Sequence, residues 1–150
     1  MLFHTHLLLG ICFFLLFNNY LGNNYIIFLL VLLGAILPDI DEDNSKINKG
    51  AGVVGSVVGF LVKHRGIFHS VLFALFLFFI IDFVWGFNYG LALLIGYLSH
   101  LVGDSLTPMG IQVFYPFSKF KIRGPIRVGS TGEWIILFGL ILLVVREMFF

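Results

Sequence analysis

Apolar residues fall along this chain in blocks separated by short polar stretches. Leu7–Phe17, Ile26–Leu37, Val71–Trp85 and Ile135–Val145 are nearly unbroken runs, whereas Tyr89–Leu106 is apolar with Gly, Ser, His and Asp set into it. None shows the alternation of a barrel strand, so helices are predicted. The expected helices cover Phe3–Phe17, Tyr25–Leu37, His69 to Trp85–Phe87, Tyr89–Leu106 and Gly132–Met148. Asn18-Asn19 with Asn23-Asn24, Asn88 and Pro108 mark the breaks, and Pro38 stops the second helix by disfavouring helical geometry in the residue before it. Ala51–Val62 is a further apolar stretch, short and rich in Gly and Val.

Composition decides what such helices are for. Hydrophobic residues make up 59% of the 150 and charged residues 11%, with a mean hydropathy of +1.04. A soluble domain carries roughly 25% charged residues, so this surface belongs against lipid, where backbone groups must be satisfied internally. The expected fold is all-α: a single-domain polytopic membrane helix bundle over residues 1–150, with about five transmembrane helices plus one short re-entrant or interfacial segment at Ala51–Val62. The N-terminus has no basic region and no small-residue cleavage site after Phe17, so the first segment reads as retained rather than as a signal peptide. Cys12, the single cysteine, leaves no disulfide or cysteine–zinc framework. A net charge of +1 argues against a nucleic-acid partner and leaves the lipid bilayer as the expected one.

The charges orient the bundle. Lys46, Lys49, Lys63, Arg65, Lys119, Lys121, Arg123 and Arg127 share one face if Ala51–Val62 dips into the membrane and returns, and the positive-inside rule makes that face cytoplasmic. The N-terminus is then inside and the C-terminus outside, with Arg146 paired to Glu147. On this arrangement His4, His6, Asp39, Asp41, His64, His69, His100, Asp104 and Glu133 converge on the cytoplasmic end, and ionisable groups gathered near a membrane mark a site. His and Asp without Cys suit a divalent metal, zinc first, with manganese or magnesium as alternatives. His100 and Asp104, at i and i+4, point the same way from one helix. Arg65 offers a two-pronged grip on a phosphate or carboxylate. Blander roles stand beside these. Ser130 and Glu133 fit a capping box, His4 an interfacial hydrogen bonder, and Lys119–Arg127 a contact with anionic headgroups.

The motifs THLLLG at Thr5–Gly10, LPDID at Leu37–Asp41, HRGIFHS at His64–Ser70, GYLSHLVGDSLTPMG at Gly96–Gly110, YPFS at Tyr115–Ser118 and GSTGE at Gly129–Glu133 stand in this order along nearly the whole chain. In that set and order the chain resembles the YdjM-like family, described as inner-membrane-associated metal-dependent hydrolases, whose bacterial namesake is also described as LexA-binding. The resemblance implies a polar core of His6, Asp39, Asp41, His69, His100 and Asp104, with His64, Arg65 and Glu133 close by; His4 matches no motif position. Many members continue LPDID into a His-Pro stretch, whereas Glu42-Asp43-Asn44 follow here. The His-x-x-x-Asp pair is also similar to one in zinc-dependent phospholipases C, which suggests a lipid phosphoester as substrate.

The reading that results is a membrane-embedded metal-dependent hydrolase of the cytoplasmic membrane. His6, Asp39, His69, His100 and Asp104 would bind the metal, and Asp41 would bridge or orient a ligand. Arg65 would hold the substrate's anion, and Glu133 or a carboxylate left free of metal would take a proton from water. The alternative is a non-catalytic protein whose His/Asp cluster is a metal-sensing, transport or structural site.

Overall fold

The computed structural model describes residues 1–22, 24–41 and 67–149, apart from the side chains of Ile40, Asp41 and Met148. The re-entrant segment expected at Ala51–Val62, and His64 and Arg65, therefore lie outside the described residues. Among those described there are five α-helices and no strand: α1 (Phe3–Leu21), α2 (Tyr25–Ile36), α3 (Val71–Trp85), α4 (Phe87–Ser105) and α5 (Thr131–Phe149). Two 3-10 turns, Leu37–Asp41 and Ile67–His69, extend α2 and precede α3. Of these helices α1 is long and apolar enough to cross a membrane; α2 and α3 are apolar but shorter.

Most breaks lie near the expected positions, with one clear displacement. Asn18 and Asn19 do not end the first helix; α1 continues to Leu21, and the chain turns at Gly22, whose N–H donates to the Asn18 carbonyl. Asparagine is tolerated in a last helical turn, and a residue at φ 88° suits glycine better. Asn24 then starts α2, its side chain accepting from the Ile26 N–H at 3.0 Å, as an N-cap does. Ser70 caps α3 in the same way through the Phe73 N–H. Only Gly86 separates α3 from α4, so Asn88 is already helical.

The centre of the bundle is α4, which packs against α1, α2 and α3, while α5 leans on α1. Apolar side chains attract one another little beyond what lipid offers, so contact in a membrane rests on close packing of small residues. Gly34 and Gly96 supply it where α2 meets α4. A Cβ on Gly96 would lie 2.0 Å from the Val31 carbonyl oxygen, and one on Gly34 2.3 Å from that of Leu93. The two backbones therefore touch. By contrast, α3 buries only Ala74 and leaves Phe76, Phe79 and Phe83 exposed, an outer face suited to lipid.

Candidate metal centre

The contact between α2 and α4 sets the first ligand. One turn beyond Gly96, the fully buried His100 places Nδ1 2.8 Å from the Ala35 carbonyl oxygen. A carbonyl can only accept, so Nδ1 carries the proton and Nε2 keeps its lone pair. That Nε2 lies 3.5 Å from Asp39 Oδ1 and 3.7 Å from Asp104 Oδ2. Asp104 is itself fully buried on the same face of α4.

Two further elements bring imidazoles to Asp104. From α1, His6 sits over Gly103, where a Cβ would come within 3.1 Å of the ring. The ring stacks on His100 with centroids 3.8 Å apart and holds Nε2 3.4 Å from Asp104 Oδ1. His69 ends a 3-10 turn and holds Nε2 3.4 Å from Asp104 Oδ2. The Tyr97 hydroxyl, donating to the Phe68 carbonyl, ties that turn to α4. Asp39 comes from the 3-10 turn Leu37–Asp41 that follows α2.

The donor set fits a metal ion. His6 Nδ1 and His100 Nε2 are buried with no hydrogen-bond partner; such atoms destabilise a fold unless something satisfies them. The ligand atoms of His6, Asp39 and His100, and those of His69, His100 and Asp104, lie within 4.8 Å of one another in each set. Bonds of roughly 2.0–2.1 Å in a tetrahedral zinc site separate neighbouring ligands by about 3.3–3.4 Å. The closest approaches here, 3.4 to 3.7 Å, are near that edge length.

The remaining candidates divide. Of the expected core, the structure brings together His6, Asp39, His69, His100 and Asp104; the Asp41 side chain, His64 and Arg65 lie outside the described residues. His4 is exposed, tilted against Trp134 at 5.7 Å. Glu133 is buried as a staple: Oε1 accepts from the Leu2 N–H at 2.7 Å and the Thr5 hydroxyl at 3.0 Å, and Oε2 from the Gly129 N–H at 2.7 Å. This resembles the capping arrangement, displaced by one residue and extended to the start of α1. Arg146 Nε and Glu147 Oε1 are 4.0 Å apart and exposed. Sequence reasoning passed over Thr5 and Tyr97; their signal was a hydroxyl inside a motif close to a histidine.

Comparison with known proteins gives the setting. The family model described as "YdjM inner membrane protein" matches residues 1–149. "Uncharacterized protein YvsG" of Bacillus subtilis (strain 168) is 37% identical over 113 residues, covering 73% of this chain and 70% of that protein. "Inner membrane protein YdjM" of Escherichia coli (strain K12) is 32% identical over 108 residues, covering 68% of this chain and 55% of that protein, and the protein of the same name in Shigella flexneri matches equally. The match thus spans about half the length of the two YdjM proteins. No solved structure matches the chain.

Proposed function

The chain belongs to the YdjM inner membrane protein family, and on that premise we propose that it is a membrane-embedded metal-dependent hydrolase acting on a phosphoester or phospholipid at the cytoplasmic face. The observation that carries the reading is the buried cluster of three imidazoles and two carboxylates, in which His6 and His100 hold ring nitrogens with no hydrogen-bond partner. His6, Asp39, His69, His100 and Asp104 would hold the ion. Both ligand sets share His100, whose Nδ1 is committed to Ala35. A single remaining nitrogen binds a single ion, and one ion shared by the two sets is the simplest occupancy of the cluster. Mixed imidazole and carboxylate donors suit zinc first and manganese or magnesium next.

When bound, the ion would polarise a phosphoryl oxygen and bring the pKa of a bound water to about 7. The chain's own groups do the rest. The Ala35 carbonyl fixes the tautomer of His100 and raises its basicity as a ligand. Catalysis needs an open position. Asp39, on a 3-10 turn and 9% exposed at its side chain where the others are near zero, would be the ligand to yield it. Asp41, as a carboxylate left free of metal, would take a proton from water, Arg65 would grip the substrate's anion, and Glu133 positions α1 against α5. Five crossings, with Ala51–Val62 dipping in from the cytoplasmic side, agree with where the lysines and arginines fall.

One observation favours a structural or sensing ion instead: the side chains of His6, His69, His100 and Asp104 are at most 1% exposed, as in a closed site. Turnover separates the two. The purified protein in phospholipid vesicles, loaded with zinc or manganese, is assayed for release of phosphate or headgroup. Release that stops with chelator and in His100→Ala supports the hydrolase. A tightly held ion with no release across phospholipids and soluble phosphoesters supports the closed site.

A further inference from the structure

The segment from Leu106 to Ser130, between α4 and α5, is folded against the metal end of the bundle. Ile111 and Ile122 exchange both N–H···O bonds at 3.0 Å, the Gly124 and Ile126 N–H groups donate to the carbonyls of Thr107 and Leu106, and the Val71 N–H donates to the Val113 carbonyl. The segment is thus fastened just after Asp104 on one side and just after His69 on the other. Ile111 is buried beside Tyr97 and Leu101. Outward, it presents a different chemistry. Phe114, Phe117 and Phe120 are 51%, 87% and 62% exposed, and Lys119, Arg123 and Arg127 are exposed between and beyond them. Residues 105–132 contain no aspartate or glutamate.

We infer that this segment is an interfacial platform that binds the anionic phospholipid headgroups of the leaflet at the metal end. Aromatic side chains settle at headgroup depth and long basic side chains reach up to phosphate from the same depth; an all-basic surface selects lipids of net negative charge over zwitterionic ones. Because the platform is bonded to the chain at both Leu106–Thr107 and Val71, bound headgroups lie next to the cluster rather than at the far end of the bundle. The inference rests on the family's place in the membrane and holds whether or not the site hydrolyses anything.

The test is native mass spectrometry of the full chain in neutral detergent with equimolar phosphatidylglycerol and phosphatidylcholine of identical acyl chains. Each basic residue near an anionic surface contributes about fivefold, so a preference for phosphatidylglycerol of at least about tenfold is expected. It should shrink several-fold in K119Q/R123Q/R127Q, persist in K119R, and survive millimolar inorganic phosphate. F117S/F120S should weaken retention of both lipids. Because these side chains are exposed, an unchanged melting temperature is the control for folding. Equal retention of the two lipids, an undiminished preference in the triple variant, or displacement by free phosphate would overturn the inference, the last by assigning the surface to a soluble anion.

Discussion

At the scale of residues, the cluster turns on Asp104, which has imidazole nitrogens of His6, His69 and His100 within 3.7 Å. Asp104→Asn keeps the shape but gives up the charge that a cation needs, and is expected to weaken metal affinity at least about as much as loss of an outer partner, 10–100-fold, by competition with a chromophoric chelator. Glu133 predicts the opposite pattern. Glu133→Gln replaces one accepting oxygen with an amide N–H donor that faces donors, and should lower stability by about 1–3 kcal/mol while metal stoichiometry stays at the wild-type value; a loss of metal equal to that in Asp104→Asn would make it a ligand. The His100–Asp104 pair was legible because a four-residue spacing alone puts two side chains on one face. The staple by Glu133 was half legible, as a cap. The bond from His100 to the Ala35 carbonyl was not, because a backbone oxygen becomes a partner only when two helices pack.

At the scale of elements, close packing of α4 positions the candidate ligands. Gly96→Val would force apart α2 and α4, whose backbones touch there, and with them Ala35 and His100. Overpacking costs typically 1–3 kcal/mol, and both the melting temperature and the metal content should fall. Gly103→Ala is milder: its methyl meets His6 and Leu9, at 3.1 and 2.9 Å, and should reduce metal affinity while circular dichroism remains that of wild type. Unchanged affinity would mean that His6 does not bind. Helix positions were readable from apolar runs and breakers. The end of α1 was not, because Asn18-Asn19 reads as a turn locally but is carried within the helix until Gly22. The 3-10 turns that present Asp39 and His69 also escaped, since the short motifs LPDID and IFH carry no helical period.

For the whole molecule, convergence was the legible property: apolar runs and charge placement, with Ala51–Val62 taken to re-enter, brought the N-terminus of α1, the end of α2, the start of α3, the end of α4 and the start of α5 to one end. The topology behind it has its own check. Single cysteines at Ser45 and Gly66, in a Cys12→Ala background, should label from the same side of the membrane; labelling from opposite sides would mean that Ala51–Val62 crosses. The most direct measurement is the metal content of protein purified in detergent without chelator, beside the H100A/D104A double variant. A mononuclear site predicts close to one equivalent of zinc or manganese in the wild type and none in the variant. Two equivalents would contradict the mononuclear reading. Metal-free wild type that also resists reloading would contradict the metal centre itself and leave the cluster as a hydrogen-bonded lock between helices.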